Sequence, residues 1–224
     1  MVCIYCKQDS GNSKRQAHVA PQGLIPSTTC LPLGAECDGC NEYAGQLETA
    51  FIHHNRVWPV LMLARIPGKK GDPRKRLGHF ARDNDALSVP GRSVSSITFA
   101  PGSVEIQLPD PPQFDDLKFR RGLHHMSFNY LAWKKGVDYA LDSRLDAVRN
   151  YIRHAKRGEA WPYAQVMHPD DYLNKKLRLT LIENAPGCIV QFISYLDEFY
   201  VDLLNSGALH DWARQKLPQG VLLL

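Results

Sequence analysis

No apolar run in these 224 residues is long enough to cross a bilayer. The longest, VWPVLMLA at 57–64, falls far short of the roughly 20 residues that a spanning helix needs. The first ten residues, MVCIYCKQDS, show no charged leader ahead of an apolar core, so a secretory signal is not expected. Neither sign of charge dominates: 27 Lys and Arg face 23 Asp and Glu, a net charge of +4 that permits a polyanion partner without requiring one. There is no internal repeat and no low-complexity tract, which argues against a solenoid or a disordered chain. Cysteine is almost missing after residue 40, where Cys188 stands alone. These absences lead us to expect a chain in the reducing cytoplasm, away from membranes. There, cysteines serve as metal ligands or buried thiols rather than disulfides.

The cysteines present divide the chain unevenly. Five of six fall in residues 1–55, which suggests a small metal-stapled module, with residues 56–224 forming a larger domain. Between 41 and 54, Tyr43, Leu47, Ala50, Phe51 and His54 recur at helical spacing and predict one packed arc. A second short helix is expected to end before Pro67-Gly68, followed by the basic loop GKKGDPRKRLGHFARDND. SITFA and VEIQL around PGS predict two strands and a turn. Residues 114–134 and 143–156 predict helices, with Leu117, Leu123, Met126, Tyr130 and Leu131 facing the core in the first. In the second, Leu145, Val148, Tyr151 and Ile152 do so. YAQV, LRLTLI, CIVQFISYL and FYVDLL predict strands between 163 and 204. The fold class expected is α+β with a mostly antiparallel sheet.

Cys3-x2-Cys6 and Cys37-x2-Cys40 are paired turns, each able to aim two thiolates at one centre. Together they predict a four-thiolate structural zinc site, with zinc–sulfur bonds of roughly 2.3 Å. A module this small has little core, so metal binding would supply much of its folding free energy. Cys30 has no paired neighbour and reads as a buried thiol or a competing ligand. Cys188 reads as a buried thiol.

Cys3-x2-Cys6, then His18-Val19-Ala20-Pro21, then Cys37-x2-Cys40-Asn41 resembles the zinc-stapled HNH endonucleases of the ββα-metal superfamily. The resemblance covers about residues 1–55. It implies a treble-clef-like ββα module and a metal-dependent endonuclease acting on nucleic acid, most directly DNA, in the manner of bacterial restriction or anti-phage systems. It implies that His18 is the general base and that Asn41 binds a catalytic Mg²⁺ or Mn²⁺. Its pattern departs in two places. Ala17 stands where an acidic metal ligand is usual, and STTCLPLGAEC lacks the usual middle asparagine. Either another carboxylate replaces the ligand, Glu48 being the nearest candidate, or activity is weak, or the module only binds.

Other readings of the same residues remain. Glu48 is either a metal-site carboxylate or a partner for a nearby basic side chain. His18 read alone is a structural histidine, and Asn41 a helix cap. His53-His54 and His124-His125 lie on predicted helices, where adjacent residues point about 100° apart and do not converge on a metal. Lys69, Lys70, Arg74, Lys75 and Arg76 are either a solvated loop or a grip on backbone phosphates. Residues 56–224 are expected to recognise substrate, a regulatory partner or a second copy of the chain. The alternative to an enzyme is a zinc module that binds nucleic acid or protein without cutting.

Overall fold

Helix α1 (Asp38–Ile52) starts inside the second cysteine pair. Its cap is Cys37, whose sulfur accepts the Cys40 N–H, and Asp38 places a negative charge in the first turn. The helix therefore begins three residues before Asn41, and the asparagine does not cap it. Its buried face carries Ala44, Leu47, Ala50 and Phe51, and buried His54 follows its end, much as the arc predicts. The computed structural model describes residues 1–21, 24–25, 28–54, 57, 96–100, 103–107, 114–167, 177–183, 187–194, 197–216 and 221–223. The short helix expected before Pro67, the basic loop and the proposed boundary at residue 55 lie outside the described residues.

Strands β1 (Ser96–Ala100) and β2 (Ser103–Gln107) pair antiparallel, with Ile97 opposite Ile106. Helix α2 (Asp116–Lys135) is the centre of the molecule. Asp115 caps it by accepting the Lys118 N–H, Lys134 and Lys135 complement its last turn, and Gly136 ends it at a φ of 97°. From Phe119 to Ala132 nearly every side chain is buried, so α2 is enclosed around most of its girth. Short helix α3 (Val137–Ala140) and helix α4 (Asp146–His154) follow, and Leu145, Val148, Tyr151 and Ile152 are buried as their spacing predicts.

Strands β3 (Tyr163–Met167), β4 (Arg178–Ile182), β5 (Ile189–Ser194), β6 (Asp197–Asp202) and β7 (Val221–Leu223) form one sheet in the order β4-β5-β6-β3-β7. Every pairing is antiparallel. Helix α5 (Ala208–Lys216) packs on β3, β6 and β7. Strand alternation then feeds two cores. Phe192, Phe199 and Val201 face the larger one, while Ala164, Tyr200 and Leu209 build the smaller one under α5. The larger core is continuous. It joins Cys3, Ile4, Val19 and Leu31 near the cysteines to Phe119 and Leu123 of α2 and to Phe192 and Phe199 of the sheet. The architecture is α+β with antiparallel sheets. No described helix is long and apolar enough to cross a membrane.

Candidate metal centre and the polar cluster beside it

The first knuckle is a tight turn. Cys3 N–H donates to Gln8 O, Lys7 N–H returns to Cys3 O, and Lys7 takes a left-handed φ of 56°. The second knuckle is docked on the first through Ile4 N–H to Ala35 O at 2.8 Å and Cys37 N–H to Cys3 Sγ at 3.3 Å. As a result the ligand atoms of Cys3, Cys6, Cys37 and Cys40 all lie within 4.8 Å of one another. Cys6 and Cys37 Sγ are 3.7 Å apart. A tetrahedron built on zinc–sulfur bonds of about 2.3 Å has edges of about 3.8 Å, so the four sulfurs could hold a metal ion such as zinc. The protons on these sulfurs are shared unequally. The hydrogen bond from Cys40 draws Cys3 down to about 4, and the same contact drives Cys40 upward. Metal binding would require the remaining protons to leave as well, which couples it to pH. Among the described residues it is the one group of three or more His, Cys, Asp and Glu that converges.

His18 sits in a short antiparallel ladder. It bridges Cys30 across the chain, flanked by Val19 N–H to Thr29 O and Leu31 N–H to Ala17 O. Its Nδ1 lies 3.1 Å from Cys30 Sγ. Cys30 is thus half-buried against the histidine and lies outside the four-sulfur set; burial pushes its thiol up, toward the neutral form. Asn41, half-buried, donates its backbone N–H to Cys37 O. Its side-chain amide has no hydrogen-bond partner among the described residues. Ala17 is 2% exposed and belongs to the core. Lys69, Lys70, Arg74, Lys75 and Arg76 lie outside the described residues.

Behind His18 is a buried polar cluster that the sequence does not advertise. Tyr5 hydroxyl donates to Asn129 Oδ1 at 2.7 Å, and Asn129 Nδ2 donates to His18 O at 3.1 Å. Tyr5 also stacks on His125, whose Nε2 lies 3.4 Å from Glu36 Oε1. Burial pulls the His125 pKa down. The Glu36 carboxylate, with a further contribution from Glu48, more than reverses this, and the net shift is upward. Glu48 therefore acts on the cluster through its charge. Tyr5, Glu36, His125 and Asn129 escape sequence reading because up to 124 residues separate partners and no spacing rule links them. The one available hint is that Glu36 and His125 each adjoin a residue already singled out, Cys37 and His124. His124, also fully buried, points elsewhere, its Nδ1–H donating to Arg120 O at 2.8 Å, so the two histidines indeed do not converge. Comparison of the chain with protein-family models, with curated proteins and with solved structures found no match.

Proposed function

We propose that this chain is a metal-dependent endonuclease of the ββα-metal kind that hydrolyses nucleic-acid phosphodiester bonds, most directly DNA. One observation carries the reading. Two docked cysteine knuckles bracket a short antiparallel ladder that contains His18, and α1, with Asn41 in its first turn, follows at once. One antiparallel bridge followed by a helix, with a cysteine pair on either side, is what supports the reading.

In this reading the roles divide simply. His18 is the general base, a role imidazole side chains commonly take. For Nε2 to take the proton from water, Nδ1–H must donate to Cys30 Sγ, 3.1 Å away. Asn129, gripping His18 O, fixes the backbone from which the ring projects. The oxygen donors for a hard cation are the Asn41 amide and the Glu48 carboxylate. They stand two turns apart, about 10 Å along the axis. Asn41 would hold Mg²⁺ or Mn²⁺, with Glu48 contributing through water. Bound there, the ion would neutralise charge on the phosphate and on the leaving 3′ oxygen. The sheet with α5 is left to present substrate, a regulatory partner or a second copy.

Buried Ala17 supports a second reading. A position with no ligand atom, closed into the core, stands where an acid would complete the cation site, and this favours a zinc module that binds nucleic acid without cutting. Supercoiled plasmid with and without Mg²⁺ or Mn²⁺ separates the two. Metal-dependent nicking that His18→Ala and Asn41→Ala abolish supports the enzyme. A gel shift from an intact chain that never nicks supports the binding module and sinks the enzyme.

A further inference from the structure

A cavity of about 560 Å³ opens among the first knuckle, the start of α1, α2 and the end of α4. That is within the range of small-molecule sites, roughly 300–1,000 Å³, and has room for one base with its sugar. Tyr5 and Tyr43 supply aromatic lining, and Glu36 and His125 line it as well. Glu36 is 1% and His125 2% exposed, and each keeps one polar atom with no hydrogen-bond partner, Glu36 Oε2 and His125 Nδ1. Native chains rarely leave such atoms unsatisfied, so a small turn of either side chain toward a polar ligand in the cavity would be favoured. From α4 come Arg153 and His154, with exposed Lys156 and Arg157 just beyond. The complement to a helix C-terminus explains basic residues there. It does not explain why Arg153, half-buried in the lining, has no ion pair or hydrogen bond among the described residues.

We propose that this cavity takes one unpaired nucleotide of a nucleic-acid strand. Its base lies among the tyrosines with its polar edge toward Glu36 and His125, and its phosphate on Arg153. A purely anionic ligand is disfavoured by the Glu36 carboxylate and by Cys6, Cys37 and Cys40 in the same lining. A purely apolar ligand would leave Oε2 and Nδ1 unsatisfied. A planar head with donor and acceptor groups and an anionic tail suits both ends. Stacking on aromatic rings accepts any base, so the site would read that a base is unpaired rather than which base it is. The inference rests on the nucleic-acid reading above, but not on cleavage.

The test uses the full, zinc-loaded chain carrying His18→Ala, without divalent cation, so that binding is read apart from cutting. The probes are a short single-stranded thymidine oligonucleotide, the same strand made abasic, and free thymidine monophosphate. The thymidine strand should bind about tenfold tighter than the abasic one, the size expected for one stacked base. Gly39 lines the cavity and an added Cβ there meets nothing within 4 Å, so Gly39→Phe should fill the space. Gln8→Trp, from an exposed lining residue, is the second filler and leaves the knuckle sequence intact. Both should erase the preference for the base-bearing strand and leave abasic binding unchanged, while Arg153→Ala weakens both strands. Equal binding of the two strands by the unfilled chain, or a preference that survives both fillers, overturns the proposal alone. Competition by the free nucleotide as strong as by the strand overturns its assignment to a strand. If neither strand binds, the nucleic-acid reading falls with it.

Discussion

His124 and His125 are neighbours on α2, both enclosed, and their protons are treated in opposite ways. His124 meets the stacked rings of Tyr151 and Trp161 edge-on, and burial lowers its pKa from the ordinary 6.5 to about 4. The folded chain thus keeps it neutral where the unfolded chain would charge it. Between about pH 6.5 and 4 the unfolded state binds more protons, so stability falls as pH falls through that window. The full loss is on the order of 3 kcal/mol, from a slope of about 1.4 kcal/mol per pH unit. Urea unfolding at pH 7 and pH 4 should show it, and His124→Gln should flatten the dependence; an equal drop in the variant would clear His124. His125 has the reverse sign, because its folded value is raised. Its contribution is complete below the ordinary histidine value and is lost as pH rises past the folded one. The two windows therefore adjoin rather than overlap, and His124 shares the acid limb with Cys3, also drawn down to about 4.

Between elements, α1 and α2 approach closely. A Cβ built on Gly122 would meet the Leu47 carbonyl oxygen at 2.7 Å, a contact with backbone that no rotamer relieves. Gly122→Ala must push the helices apart and should cost about 1–3 kcal/mol, despite alanine's better helix propensity. A shift of the denaturation midpoint to lower urea reports this, and an unchanged or raised midpoint would show that the pair yields. The elements themselves were largely legible. Leu145, Val148, Tyr151 and Ile152 repeat at helical spacing, and strand runs such as IVQFIS are apolar enough to announce themselves. The buried polar residues of α2 were not, since Arg121, His124, His125, Ser127 and Asn129 resemble a solvated face until their partners are known. Arg121, for example, reaches Ile152 O and the Tyr43 hydroxyl, on two other helices. Helix α5 also left little trace, because ALHDWARQK buries only Leu209 and Ala213 among its nine residues.

At the scale of the molecule, the cysteine centre and the sheet share one core. Ile4, Leu31 and Leu47 belong to the same cluster as Phe192 and Phe199. Removing the metal should therefore unfold more than the knuckles. With a strong chelator, or in Cys37→Ser, bound zinc should disappear from metal analysis. Tryptophan fluorescence, to which Trp161 and Trp212 on the two cores contribute, should then melt together with the helical signal at a lower temperature. A sheet that melts unchanged would show the centre to be energetically separate. The cysteine set could be read from sequence because its geometry is local, two turns of four residues each. The cluster around His125 could not, because its geometry exists only once α2 lies against both knuckles.

The rings of His54 and Phe114 lie 5.2 Å apart, both against Phe119. The chain that departs after the first of them has come back to the same spot by the second. Both ends of the intervening stretch thus lean on one ring, so that loss of the Phe119 side chain would loosen the two together.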